Sequence, residues 1–250
     1  MKPSVRKAKP VYSLRDFNSS LFNLSDIGSN EPVTIDEIGT ELRKQRRFGG
    51  QTSFTVLEHS LFGAVNMLYR HPRYPKLALD FLLHDAHEIF LTDIPSPVLK
   101  ALGPATEKAM AKLKAELDWW IYDCLNLDIP TKEDKAAVHR FDKMATDREA
   151  RWLFPNIDLD PHFGEYKDRD LYDLGLMRSR IHDAHDFADV FFFLKQLQLH
   201  PDEGGRNVFY IVNKMEGLFH TYVGKDYGIH PVHVQAINGY NDESAFSHRP

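Results

Sequence analysis

At Thr34, Thr55 and Thr131 a threonine stands just ahead of a run whose apolar residues recur at helical spacing. An acidic side chain follows each one three residues later: Glu37, Glu58 and Asp134. In such a capping box the hydroxyl accepts from an open amide of the first turn and the carboxylate accepts from the cap residue, so the pattern marks helix starts. Prolines supply the remaining punctuation. Pro75 and Pro104 stand where a first turn can begin without losing a hydrogen bond, and Pro95 and Pro97 must end the helix before them. The stripes between these marks include Ile35, Ile38 and Leu42, then Leu79, Leu82, Leu83, Ala86 and Phe90, then Leu113, Leu117, Trp120 and Ile121. The spacing predicts helices from Thr34, from Thr55 to about Tyr69, from Pro75 through Phe90, from Pro104 to about Leu125, from Thr131 to about Phe154, and from about Arg169 to Leu199. The expected fold is all-α. An irregular arm covers residues 1–33, a helical domain 34–200, and an extension packed on that domain 201–250. Within the extension, Asn207–Val212 and Phe219–Val223 are rich in aromatic and β-branched residues and suit a short β-hairpin.

A chain of 250 residues can bury a real core. Its formal charge of −5 argues against a broad basic surface for a nucleic-acid polymer, but leaves room for one small phosphate ligand. The single cysteine, Cys124, rules out an intrachain disulfide framework and a thiolate metal site. No apolar run is long enough to span a membrane and the basic N-terminus is not followed by a hydrophobic core, so a cytoplasmic location is expected. Thirteen histidines remain as the unusual count.

Three of the predicted helices carry His59, the adjacent pair His84-Asp85, and Asp142. Two imidazoles and two carboxylates make a mixed nitrogen and oxygen set that suits a divalent ion such as Co, Mn, Zn, Ni, Fe or Mg, with little selection among them. A His-Asp dipeptide alone is weak, since it arises by chance in histidine-rich chains. Its setting is more telling. Phe81-Leu82-Leu83 places the pair at a core edge, where unpaired polar groups are costly, and Glu88 and Asp93 add carboxylates within two turns.

Phe81-Leu82-Leu83-His84-Asp85-Ala86-His87-Glu88 followed by Leu91-Thr92-Asp93-Ile94-Pro95-Ser96-Pro97 resembles the second motif of the HD-domain phosphohydrolases. The likeness is to the branch that holds the YfbR-type 5′-deoxynucleotidases and the phage dATP triphosphohydrolases. Leu57-Glu58-His59-Ser60 is similar to the first-histidine motif. Phe141-Asp142-Lys143-Met144-Ala145-Thr146-Asp147 is similar to the final one, with Asp147 where many relatives have Glu. Arg46-Arg47-Phe48-Gly49-Gly50 resembles the segment that supplies a phosphate-binding arginine.

The resemblance implies an HD-type helical bundle in which His59, His84, Asp85 and Asp142 bind one divalent metal. Glu88 and Asp93 would serve in proton transfer and in holding water or sugar. Arg47 or Arg46 would pair with phosphate oxygens, Phe48 would shape the nucleoside pocket, and His87 would contact phosphate or support the metal. The expected reaction is hydrolysis of the α-phosphate ester of a deoxynucleotide, most simply a 5′-monophosphate. The alternatives are a triphosphohydrolase, for which the basic run Arg43 to Arg47 leaves room, and a non-catalytic nucleotide-binding regulator. The expected partner is a small nucleotide, with assembly into a dimer or larger oligomer.

Other features read as structural. His182-Asp183 and His185-Asp186 follow charged rather than aliphatic residues and suit a solvated helix face. His139 reads as a polar neighbour of Asp142, Glu149 and Arg151 as surface ion pairs, and Trp119-Trp120 and Phe191-Phe192-Phe193 as core or interface.

Overall fold

The computed structural model describes residues 12–15, 20–71, 74–154 and 184–199, all within the first of the chain's two compact units, Met1–Phe209. Among them the fold is all-α apart from one small ladder. The helices are α1 (Ile35–Lys44), α2 (Val56–Arg70), α3 (Pro75–Leu83), α4 (Glu88–Leu91), α5 (Ser96–Leu102), α6 (Pro104–Cys124), α7 (Lys132–Leu153) and α8 (Ala184–Leu199).

All three capping boxes form. The hydroxyls of Thr34, Thr55 and Thr131 accept from the amides of Glu37, Glu58 and Asp134, and the cap amides donate back to those carboxylates. Pro75 and Pro104 stand in first turns as expected. Gly103, at φ 92°, ends α5 and caps α6, a backbone conformation that an L side chain resists.

Helices α2 and α3 pack together, α8 lies against both α1 and α3, and α7 crosses α2 and α3. Ile38, Leu42, Leu57, Leu61, Leu79, Leu82, Phe187 and Leu194 fill the space between them, each at most 2% exposed. Every such side chain contributes about 1.5–3 kcal/mol relative to exposure. A second aromatic cluster ties α6 to the first residues described: Phe22 stacks on Phe90 at 4.0 Å and meets Trp120 edge-on at 5.2 Å.

The structure corrects the expected elements in two places. The arm is not irregular throughout, because β1 (Tyr12–Arg15) pairs antiparallel with β2 (Ser20–Asn23), with Leu14 opposite Leu21. The third helix does not run through Phe90. It stops at Leu83, and the amides of His84, Ala86, Glu88 and Phe90 each reach back three residues, to the carbonyls of Phe81, Leu83, Asp85 and His87. This tighter winding brings residues three apart onto one edge. The helical winding ends before Pro95 as expected, and Ser96 and Pro97 then begin α5, whose first-turn amides have no acceptor to lose. Of the helix expected over Arg169–Leu199, the described part is α8. The expected hairpin within 207–223, the rest of the C-terminal extension and His182-Asp183 lie outside the described residues. Among the described residues, no helix is long and apolar enough to cross a membrane.

Candidate metal centre

His59 projects from α2, completely buried, and its Nε2 lies 3.3 Å from Nε2 of His84 in the turn after α3. Asp142 of α7 brings Oδ1 to 3.2 Å from His59 Nε2 and 3.7 Å from His84 Nε2. Asp85 brings Oδ2 to 3.1 Å from His84 Nε2 and 3.8 Å from His59 Nε2. Ligand atoms about 2.1 Å from one cation sit about 3.0 Å apart at octahedral right angles and about 3.4 Å apart at tetrahedral ones. The observed separations run from close to the octahedral value to a few tenths of an ångström beyond the tetrahedral one. From this turn both members of the dipeptide reach one point, with Asp85 Oδ2 beside His84 Nε2.

Hydrogen bonding fixes which ring nitrogens face the cluster. His84 Nδ1 lies 2.7 Å from the Phe81 carbonyl, and His59 Nδ1 lies 2.6 Å from Glu149 Oε1. A carbonyl and a carboxylate only accept, so each Nδ1 carries a proton, and it is each Nε2 that would turn a lone pair inward once the ring is neutral. Two nitrogen lone pairs and two carboxylates thus converge where nothing in the chain donates to all of them. Phe81 packs under both rings, 4.5 Å from His84 and 5.5 Å from His59, and holds their planes.

Arg47 supplies the only guanidinium described at this cluster. Its Nη1 lies 3.4 Å from Asp85 Oδ2, its Nε lies 3.2 Å from Glu149 Oε2, and its Nη2 donates to Thr146 Oγ1 at 2.7 Å. Thr146 in turn donates to Asp142 at 3.2 Å. Asp85, Asp142 and Glu149 against Arg47 leave two negative charges when both imidazoles are neutral, which is the charge of one divalent cation. Protons respond to the same field. Burial alone would lower the His84 imidazole, yet the Asp85 and Asp142 carboxylates hold it well above its ordinary value. Against the same burial, His84, His59 and Arg47 hold Asp85 below the usual carboxylate range. The donor set therefore fits a metal ion, and His59, His84 and Asp142 form a group able to hold one.

Glu88 is buried, and its Oε2 has no hydrogen-bond partner. Gln45 fastens this region: its amide donates to the Glu88 carbonyl at 2.6 Å and its oxygen accepts from the Asp93 amide at 3.1 Å. Asp93 is half-buried, and burial raises its pKa. His87 turns away from the first cluster to Asp118 of α6, at 2.8 Å. Beside His84 and Asp142 opens a cavity of about 350 Å³, walled by Trp119, Tyr122, Ile129 and Val138, with Lys135 and His139 at its polar side.

The remaining expected residues sit as follows. Arg46 is exposed and its backbone bridges Thr55. Phe48, at φ 57°, meets Phe154 edge-on at 5.5 Å. Trp120 and Phe191 are core, while Trp119 and Phe192 are more than half exposed. Arg151, itself partly exposed, pairs with the buried Asp147 of α7. Glu149 is a correction. It is fully buried against His59 and Arg47, not a surface ion pair. It lies two turns after Asp142 with Thr146 between, so helical spacing from Asp142 was the signal that pointed to both. No protein-family model matches the chain, and no curated protein matches it significantly.

Proposed function

We propose that this chain is a divalent-metal-dependent phosphohydrolase that cleaves the α-phosphate ester of a deoxynucleotide, with a 5′-deoxynucleoside monophosphate as its first substrate. The carrying observation is the convergence of the His59 and His84 Nε2 atoms with Asp85 and Asp142, beside a buried Glu88 oxygen that lacks a partner. The four first residues hold the ion, which when bound polarises a phosphoryl oxygen and acidifies water. Glu149 and the Phe81 carbonyl keep both rings in the ligating tautomer.

Glu88, which burial keeps protonated in the metal-free chain, would give up that proton beside a bound cation and then accept one from the attacking water. Asp93, fixed by Gln45, stands next to it to pass a proton on or hold the sugar. Arg47 now spends its charge on Asp85 and Glu149; a cation on Asp85 frees the Nη1 edge for a phosphate oxygen, with Arg46 as the exposed neighbour. The cavity is at the small end of ligand pockets, and its apolar walls suit a nucleoside. Arg47 is already engaged, which leaves little spare positive charge for β- and γ-phosphates and favours the monophosphate over a triphosphate.

The test is a panel of dNMP, NMP, dNTP and NTP with Mn or Co, with phosphate, pyrophosphate and triphosphate read separately. Phosphate release from dNMPs is expected, and Asp85→Ala should lose metal and turnover together. Triphosphate release from dNTPs alone would move the reading to a triphosphohydrolase. A metal-loaded protein inert on every nucleotide would leave only a regulatory binding module.

A further inference from the structure

Asp85, His87 and Glu88 bring a carboxylate oxygen, a ring nitrogen and a second carboxylate oxygen within 4.8 Å of one another. The tight turn after α3 causes this, since bonds to the third residue back put Asp85 and Glu88 on one edge. Two observations separate the group from an ordinary acidic patch. His87 and Glu88 are each 5% exposed, yet His87 Nε2 and Glu88 Oε2 have no hydrogen-bond partner. Atoms so placed have lost water and gained nothing for it. The His87 ring is also already oriented. Its Nδ1 lies 2.8 Å from Asp118 Oδ1, so Nδ1 carries the proton and Nε2 keeps a lone pair. A carboxylate behind an imidazole is how metal-ligating histidines are commonly held, and Glu149 stands behind His59 in the same way.

We propose that Asp85, His87 and Glu88 form a second divalent-cation site, with Asp85 shared between it and the cluster of His59, His84 and Asp142. Asp85 can serve both because a carboxylate has two oxygens, and Oδ2 is the one turned toward His84. One imidazole and two carboxylates accept Mn, Co, Zn or Fe. The site goes beyond the hydrolase reading, for which the first cluster alone suffices. With this cation bound, Glu88 becomes a ligand, and Asp93 is left as the neighbouring carboxylate free to carry a proton.

The experiment is a Mn²⁺ titration of the metal-free full chain, followed by calorimetry and by electron paramagnetic resonance. Two equivalents are expected, and the second should weaken the resolved hyperfine signal of the first, because a shared carboxylate couples the two spins. His87→Ala should take up one equivalent and keep that signal. Asp118→Asn, a half-buried position that tests the site without emptying the core, should weaken the second equivalent about 10–100-fold and leave the first unchanged. One equivalent in the parent chain, two in His87→Ala, or an unaltered second affinity in Asp118→Asn would overturn the site. The nucleotide panel is unaffected by that failure. Conversely, a chain that binds two equivalents and hydrolyses nothing would keep the site and lose the reaction.

Discussion

Burial first, and then the Asp85 and Asp93 carboxylates, push the Glu88 carboxyl up to about 9 in the metal-free chain. Its value in the unfolded chain is about 4.3, so the folded state holds the extra proton between those limits. The contribution to stability is therefore complete below about pH 4 and is lost progressively as pH rises toward 9, on the order of 3 kcal/mol by pH 7. Glu88→Gln removes the titration and keeps the shape. Denaturant unfolding of the metal-free variant should show a gain over the parent that grows from pH 5 to pH 9, while turnover collapses. A loss of stability at every pH would mean that the Glu88 carboxyl makes a favourable contact instead. At this scale the sequence was readable where a polar pair follows an apolar run, as His84-Asp85 follows Phe81-Leu82-Leu83; His59 and Asp142, flanked by Glu58 and Ser60 and by Lys143, stood out only through the motifs they resemble. Glu149 escaped because a lone glutamate near Arg148 and Arg151 looks like a helix surface, and its burial depends on His59 and Arg47 arriving from elsewhere.

Helix α2 carries Gly63 in its interior, where glycine costs about 1 kcal/mol relative to alanine. The Phe81 ring of α3 occupies the space that a Cβ there would need, its Cε1 only 1.8 Å from that point. Close approach of these two helices is what lets Phe81 lie under both His59 and His84. Gly63→Ala should therefore cost about 1–3 kcal/mol by overpacking, against the gain that helix propensity alone would give. Because Phe81 must move, metal uptake should weaken as well, and calorimetry on the folded variant measures it. Unchanged uptake would uncouple Phe81 from the ring positions. Element starts were legible from Thr34, Thr55, Pro75, Pro104 and Thr131 because caps and prolines act locally. The end of α3 was not, since the apolar period continues through Ala86 and Phe90 whether the backbone winds by fours or by threes.

Across the described residues, the groups of the centre come from α2, from the turn after α3 and from α7, and all three must arrive before any lone pair meets another. Without a cation, the carboxylates of the centre draw protons onto the buried imidazoles instead, and the packing of α2, α3 and α7 has to hold these charged groups together away from water. With one, the same convergence becomes a cross-link among three segments, and binding to the folded state alone adds RT ln(1 + [L]/Kd), about 2.7 kcal/mol at one hundred times Kd. For a chain of this size each kcal/mol moves the melting temperature by about 2–4 °C, so saturating Mn or Co should raise it by about 5–10 °C over the chelated protein. Asp142→Ala, which takes one ligand from α7 and leaves the helix caps untouched, should lose at least half of that shift. Lys143→Ala, exposed one position along α7, should keep it in full. Scanning calorimetry with and without chelator reads all three proteins. An equal shift in Asp142→Ala would put the cation somewhere other than between these helices.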